Sequence, residues 1–173
     1  SGVPLTGFLN RYSEPGPISF VASDDYALAV TIATYLYEHL KGRGAVLIVE
    51  GPRESVTSLD RVRGFRDAQA NFPGIHFAGT ICGEYQRTGT IASAQAFLRS
   101  NVHFDAVLAA NDVMALAMLE VLEDAGRKSV IPGVNAVPDP TRAIKAGKPL
   151  ATVDFDAMKI AALATEAAIR HLR

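Results

Sequence analysis

Four groups in this sequence each stand a few residues beyond a short apolar run. Arg61 follows Gly51-Pro52-Arg53-Glu54-Ser55, Tyr85 lies within Gly83-Glu84-Tyr85-Gln86-Arg87, Asn111 opens Asn111-Asp112, and Asn135 follows Gly133-Val134. A guanidinium and two amides can bond paired hydroxyls, and a flat ring can cover a C–H face. Such a set suits an uncharged, hydroxyl-rich ligand. Each residue also has a plainer reading. Arg61 has no carboxylate three or four positions away, whereas Arg63 can pair with Asp67 at i,i+4, so Arg61 stands open between ligand contact and surface charge. Asn111 can cap a helix beginning at Asp112, and on residue chemistry alone capping is the stronger reading. Asn135 can be a turn residue before Pro138, and Tyr85 a half-exposed loop aromatic. Asp24 and Asp25 read as helix-start residues and nothing more.

Signatures of catalysis are weak. The chain has no G-x-G-x-x-G, no G-x-x-x-x-G-K-[ST], no G-x-S-x-G and no H-E-x-x-H. His39, His76, His103 and His171 are scattered without metal-ligand spacing. Cys82, at the end of an apolar run, reads as a buried small apolar residue rather than a nucleophile. No catalytic residue, cofactor or metal site is expected.

The elements that must position the four groups alternate. Candidate strands cover residues 4–9, 18–22, 45–50, 76–82, 106–109, 129–134 and 150–153. Between them Leu28, Ile32, Leu36 and Leu40 recur at helical spacing, as do Leu59, Val62, Phe65, Ala68 and Phe72. Ser23 is placed to cap the first helix, Gly42, Gly126 and Gly147 fall where helices need a left-handed residue to stop, and Pro138-Asp139-Pro140 reads as a turn. Strands alternating with helices predict an α/β, doubly wound parallel sheet with helices on both faces. Ligands of such sheets bind outside the carboxyl ends of the strands, which is where the four groups fall. The last segment, residues 156–173, is helical by composition, with a Met158, Ala162 and Ile169 stripe interrupted by Thr165. Like residues 4–9, it needs a partner surface.

Composition bounds the rest. The 173 residues are 49% hydrophobic and 20% charged, enough for a core and against disorder. Seventeen basic and eighteen acidic residues leave a net charge of -1, which gives no argument for nucleic acid or an anionic membrane. No apolar run approaches the roughly 20 residues of a membrane span. A single cysteine excludes an internal disulfide. Ser1 and the lack of a signal-like start lead to the expectation that the chain is processed or cut from something longer.

Ser58-Leu59-Asp60-Arg61-Val62-Arg63-Gly64-Phe65 resembles the S-x-x-R-x-x-G-F segment of type I periplasmic sugar-binding proteins, the ribose-binding-like family. The run from Ala109 to Leu116 is similar to the family's A-x-N-D-x-M-A-L-G helix start. Gly133-Val134-Asn135, then Pro138-Asp139 and Ala143-Ile144-Lys145-Ala146-Gly147, resembles its G-x-D-x-x-P-D … A-I-x-x-G stretch. Val21-Ala22-Ser23-Asp24-Asp25 matches the start of its second lobe. The resemblance places ligand contacts on Arg61, Tyr85, Asn111 and Asn135, and sets Phe155 where several relatives carry a hinge glutamine. Asn135 stands where an aspartate is usual, and both departures argue against a ribose-like ligand. The implied organisation is a crossing strand from a missing N-terminal lobe (1–11), the C-terminal ligand-binding lobe (12–154), and a hinge with the returning helix of the first lobe (155–173). The implied protein captures a sugar or related polyol without chemistry, for the membrane permease of an ABC-type importer in the periplasm. The same lobe serves as the effector domain of LacI-type regulators, which would be cytoplasmic. The Lys41-Gly42-Arg43-Gly44 approach to a strand looks more like the transport branch, in which no nucleic acid is bound.

Overall fold

The run from Ala45 to Val49 is apolar at every position, and all five residues are buried. A strand that reads this way is covered on both faces, as the centre of a parallel sheet must be. In the computed structural model, which describes residues 5–9 and 16–172, this run is the heart of β3 (Arg43–Glu50). It lies between β4 (Gly74–Cys82) and β5 (Ala106–Ala109), both parallel to it. A second parallel pair, β6 (Ile131–Val134) and β7 (Leu150–Val153), continues the sheet. Its link to β5 is the Val107 N–H donating to the Val130 carbonyl at 3.2 Å. The spatial order is therefore β4-β3-β5-β6-β7.

Helix α2 (Val56–Ala68) carries the chain from β3 to β4, and α3 (Arg87–Arg99) brings it back across β3 to β5. Right-handed crossovers in opposite directions put these helices on opposite faces, with a topological switch point between β3 and β5. α1 (Asp25–His39) packs with α2, and α4 (Asp112–Asp124) with α3. The expected doubly wound α/β architecture is present. A separate parallel pair, β1 (Thr6–Phe8) and β2 (Ser19–Val21), is covered by α6 (Ala157–His171). Pro4, Tyr12 and Arg173, which bounded expected segments, lie outside the described residues.

Several local expectations are corrected. The cap of α1 is Asp24, whose Oδ1 accepts from the Ala27 N–H at 2.9 Å, so Ser23 lies one residue too early. Pro138-Asp139-Pro140 is the first turn of α5 (Pro138–Lys145), because proline at the first helical position gives up no hydrogen bond. Arg63 pairs with Asp60 at 3.0 Å rather than with Asp67, which accepts from the Tyr26 hydroxyl at 3.1 Å. α6 turns Ile160 and Ala164 inward, while Met158 is 82% exposed and Ile169 and Ala162 also face out. Gly42, Gly126 and Gly147 do stop helices as expected, with φ of 73°, 66° and 81°.

Candidate functional site

Parallel strands deliver all their carboxyl ends to one edge, so the loops after β3 to β7 meet there. They enclose a cleft of about 220 Å³ whose lining includes Arg61, Tyr85, Asn111, Asn135 and Phe155. All five sequence-indicated residues are thus brought together. Leu9, Ser23, Asp25 and Thr57 complete the wall.

Arg61 sits in the second turn of α2, and all three guanidinium nitrogens are held, by two groups. Nε donates to Asp25 Oδ1 at 2.8 Å, Nη1 to the Ala110 carbonyl at 2.5 Å, and Nη2 approaches Asp25 Oδ1 at 2.7 Å. Asp25 is therefore more than a helix-start residue. Among the described residues it neutralises the one cation of the wall and fixes the fork that faces the cleft. Sequence spacing missed it because the pair spans two helices, 36 residues apart. The only available signal was that α1 and α2 both begin at the same sheet edge.

Asn111 is a helix cap that also reaches the cleft. Its Oδ1 caps α4 by accepting from the Met114 N–H at 2.9 Å, while the residue also lines the cleft. Tyr85 packs its ring flat against Gly51, where any Cβ would collide with it. Burial pushes its phenol up, opposed first by the Arg61 charge and then by the Ser58 and Ser55 hydroxyls. Those hydroxyls approach without completing a hydrogen bond, and the Tyr85 hydroxyl is buried with no partner among the described residues. Asn135 Oδ1 is in the same condition. Two buried polar atoms without partners at one cleft are a strong sign of a polar ligand. Backbone strain collects here as well: Leu9, Tyr85 and Asn135 have φ of 68°, 57° and 123°, and Glu84, Ala136 and Asp156 beside the wall are also positive.

Asp112, next to Asn111, is the most perturbed acid near the cleft. Burial pushes its carboxyl up to about 6, against the bonds from Thr152, Val137 and Ala136 and the Arg61 charge. Cys82 is half-buried rather than buried, and its thiol is shared between the Gly51 carbonyl at 3.2 Å and Glu84 Oε1 at 2.9 Å. Burial and then the Glu84 bond raise its pKa, which disfavours the thiolate. Among the described residues no three His, Cys, Asp or Glu side chains converge on a metal-sized site, and no helix is long and apolar enough to cross a membrane.

An open α/β lobe with convergent hydrogen-bonding groups at its switch point is a ligand-binding class of structure. A model of the periplasmic binding protein domain matches residues 1–173, and the chain belongs to that family. It is 30% identical over 168 residues to the ribose import binding protein RbsB of Salmonella typhimurium, covering 95% of this chain and 56% of that one. It is 27% identical over 148 residues to the xylitol-binding protein of Mycolicibacterium smegmatis, covering 84% and 42%. A periplasmic solute-binding protein from Actinobacillus succinogenes with bound D-allose shares the fold, with a TM-score of 0.91 at 23% identity over 98% of this chain and 62% of that one. The chain spans about half the length of the curated relatives it matches.

Proposed function

We propose that this chain forms the C-terminal lobe of a solute-binding protein that captures a sugar or related polyol for an ABC-type importer and performs no chemistry on it. Residues 12–154 are the ligand-binding lobe, with a crossing strand before them and, at 155–173, the hinge and a helix belonging to a first lobe. The observation that carries the reading is the cleft itself. Two buried polar atoms without a partner among the described residues, on Tyr85 and Asn135, share a wall with the Arg61 fork, the Asn111 amide and the apolar Leu9 and Phe155. Because Asp25 balances Arg61, the wall favours an uncharged ligand. A cleft of about 220 Å³ falls below the roughly 300–1,000 Å³ of complete small-molecule sites, as expected of half a site. Relatives named for ribose, allose and xylitol support the same class of ligand. Closure of two lobes on the ligand, in the periplasm, would present the form that a membrane permease recognises.

The test is calorimetry on the two-lobed protein with D-ribose, D-allose, xylitol and myo-inositol. At least one should bind with a Kd of about micromolar or tighter. Absence of heat and of any thermal shift across neutral sugars and polyols refutes the reading.

A further inference from the structure

The turn that carries Asn135 should not hold by its own preference. Asn135 and Ala136 have φ of 123° and 56°, a region that residues with side chains rarely adopt, and such a conformation persists only where its surroundings impose it. The imposing group is on another element. Asp112, the first residue of α4, is 1% exposed. Its Oδ2 accepts from the Val137 N–H at 3.1 Å, and its Oδ1 accepts from the Thr152 hydroxyl at 2.7 Å. Thr152 Oγ1 in turn accepts from the Ala136 N–H at 3.1 Å. Two consecutive amides of the turn thus end on one carboxylate, one directly and one through a hydroxyl. β6 reaches this carboxylate only because Gly133 has no Cβ, which would lie 2.5 Å from Asp112 Oδ1. An acid that merely complemented the helix dipole would do so from solvent, so the dipole does not explain the burial.

We propose that Asp112 is a positioning residue: it clamps residues 135–137 and thereby aims the Asn135 amide into the cleft beside Asn111. The effect on affinity rests on the solute-binding reading; the clamp itself does not.

Amide hydrogen exchange by NMR on the full natural chain tests the clamp without a ligand. Asp112→Leu should speed exchange at both Ala136 and Val137 by about tenfold or more, as loss of a charge-assisted hydrogen bond predicts. Thr152→Val should speed Ala136 alone. Asp112→Asn should restore both to within about threefold of native rates, since its amide still accepts from Val137 and can donate to Thr152. Calorimetry with the best binder among D-ribose, D-allose, xylitol and myo-inositol should rank affinity in the same order, with Asp112→Leu weakest. Native exchange at Val137 in folded Asp112→Leu overturns the clamp. If that variant does not fold, native exchange at Ala136 in Thr152→Val overturns it. Altered exchange with unchanged affinity in every variant overturns the positioning role. If the native protein binds none of the four compounds, the solute-binding reading fails, while the exchange pattern still decides the clamp.

Discussion

Replacing Arg61 with alanine separates two roles that the structure superimposes. The Arg61 and Asp25 side chains are only 5% and 12% exposed, so the substitution strands a buried carboxylate and also deprives the Ala110 carbonyl of its 2.5 Å donor. Breaking a buried pair by removing one partner costs about 3–5 kcal/mol. For a chain of this size each kcal/mol lowers Tm by about 2–4 °C, so the expected fall at the lower bound is about 6–12 °C. The variant should therefore fold but be clearly less stable, and a loss of affinity in Arg61→Ala cannot by itself be assigned to a lost ligand contact. The resolving measurement is a double-mutant cycle in urea with Arg61→Ala, Asp25→Ala and the pair. If the two groups neutralise each other, the double variant should be hardly worse than either single one, with a coupling energy of about 3 kcal/mol at the lower bound. Ligand binding then supplies the second readout: Arg61→Lys keeps the charge but not the fork, and should weaken sugar affinity about tenfold, at the lower edge of a charge-assisted hydrogen bond. Strict additivity in urea would refute the claim that Asp25 compensates Arg61, and with it the argument for an uncharged ligand.

Asp112 makes stability depend on pH. Its folded pKa of about 6 lies above the unfolded value, so its contribution is fully present below about pH 4 and is lost as pH rises through 6, a change of about 2–3 kcal/mol. Asp112→Asn should flatten this component of the pH–stability curve, and a curve parallel to the native one would contradict the burial argument. Asn135→Gly removes an unpartnered oxygen and relieves a φ of 123°, so it should raise stability by about 1 kcal/mol while weakening sugar binding in calorimetry; a loss of both would disprove the trade. Gly51→Ala should displace the Tyr85 ring, costing about 1–3 kcal/mol of stability in urea and weakening the ligand; unchanged near-ultraviolet dichroism and affinity would contradict that contact. The 173-residue chain alone should bind the preferred sugar far more weakly than the two-lobed protein, because about half the buried ligand area is missing; equal affinity would sink the two-lobe account.

The sheet was legible because period and punctuation act locally. The short β-branched run from Ala45 to Val49, flanked by glycine, reads as a doubly covered strand, and Gly42, Gly126 and Gly147 stop helices for steric reasons written in the residue type. The convergence of Arg61, Tyr85, Asn111 and Asn135 followed from topology alone, since parallel strands end together. What stayed hidden was pairing between elements. Asp25 looked like a helix-start residue because its cation is 36 residues away, and Asp112 marked only the start of a helix because Val137 and Thr152 are 25 and 40 residues distant. The inward face of α6 stayed open for a related reason: it is set by β1 and β2, and the widely spread apolar residues of the helix do not select it.

The same contrast bears on function. Along residues 45–49 of β3 and along β5 every local preference agrees with the fold: the residues are apolar and buried and the backbone is extended. At the carboxyl ends of these strands and their neighbours the agreement fails in several ways around one cleft, through left-handed non-glycine residues, two buried polar atoms without partners among the described residues, and a buried acid behind the wall. Left-handed geometry alone costs about 1–2 kcal/mol per residue, so random drift would have no reason to collect such costs at one place. A structure that keeps them together holds hydrogen-bonding groups unsatisfied and rigid until a hydroxyl-rich partner completes them, and rigidity of this kind lowers the entropy lost on capture.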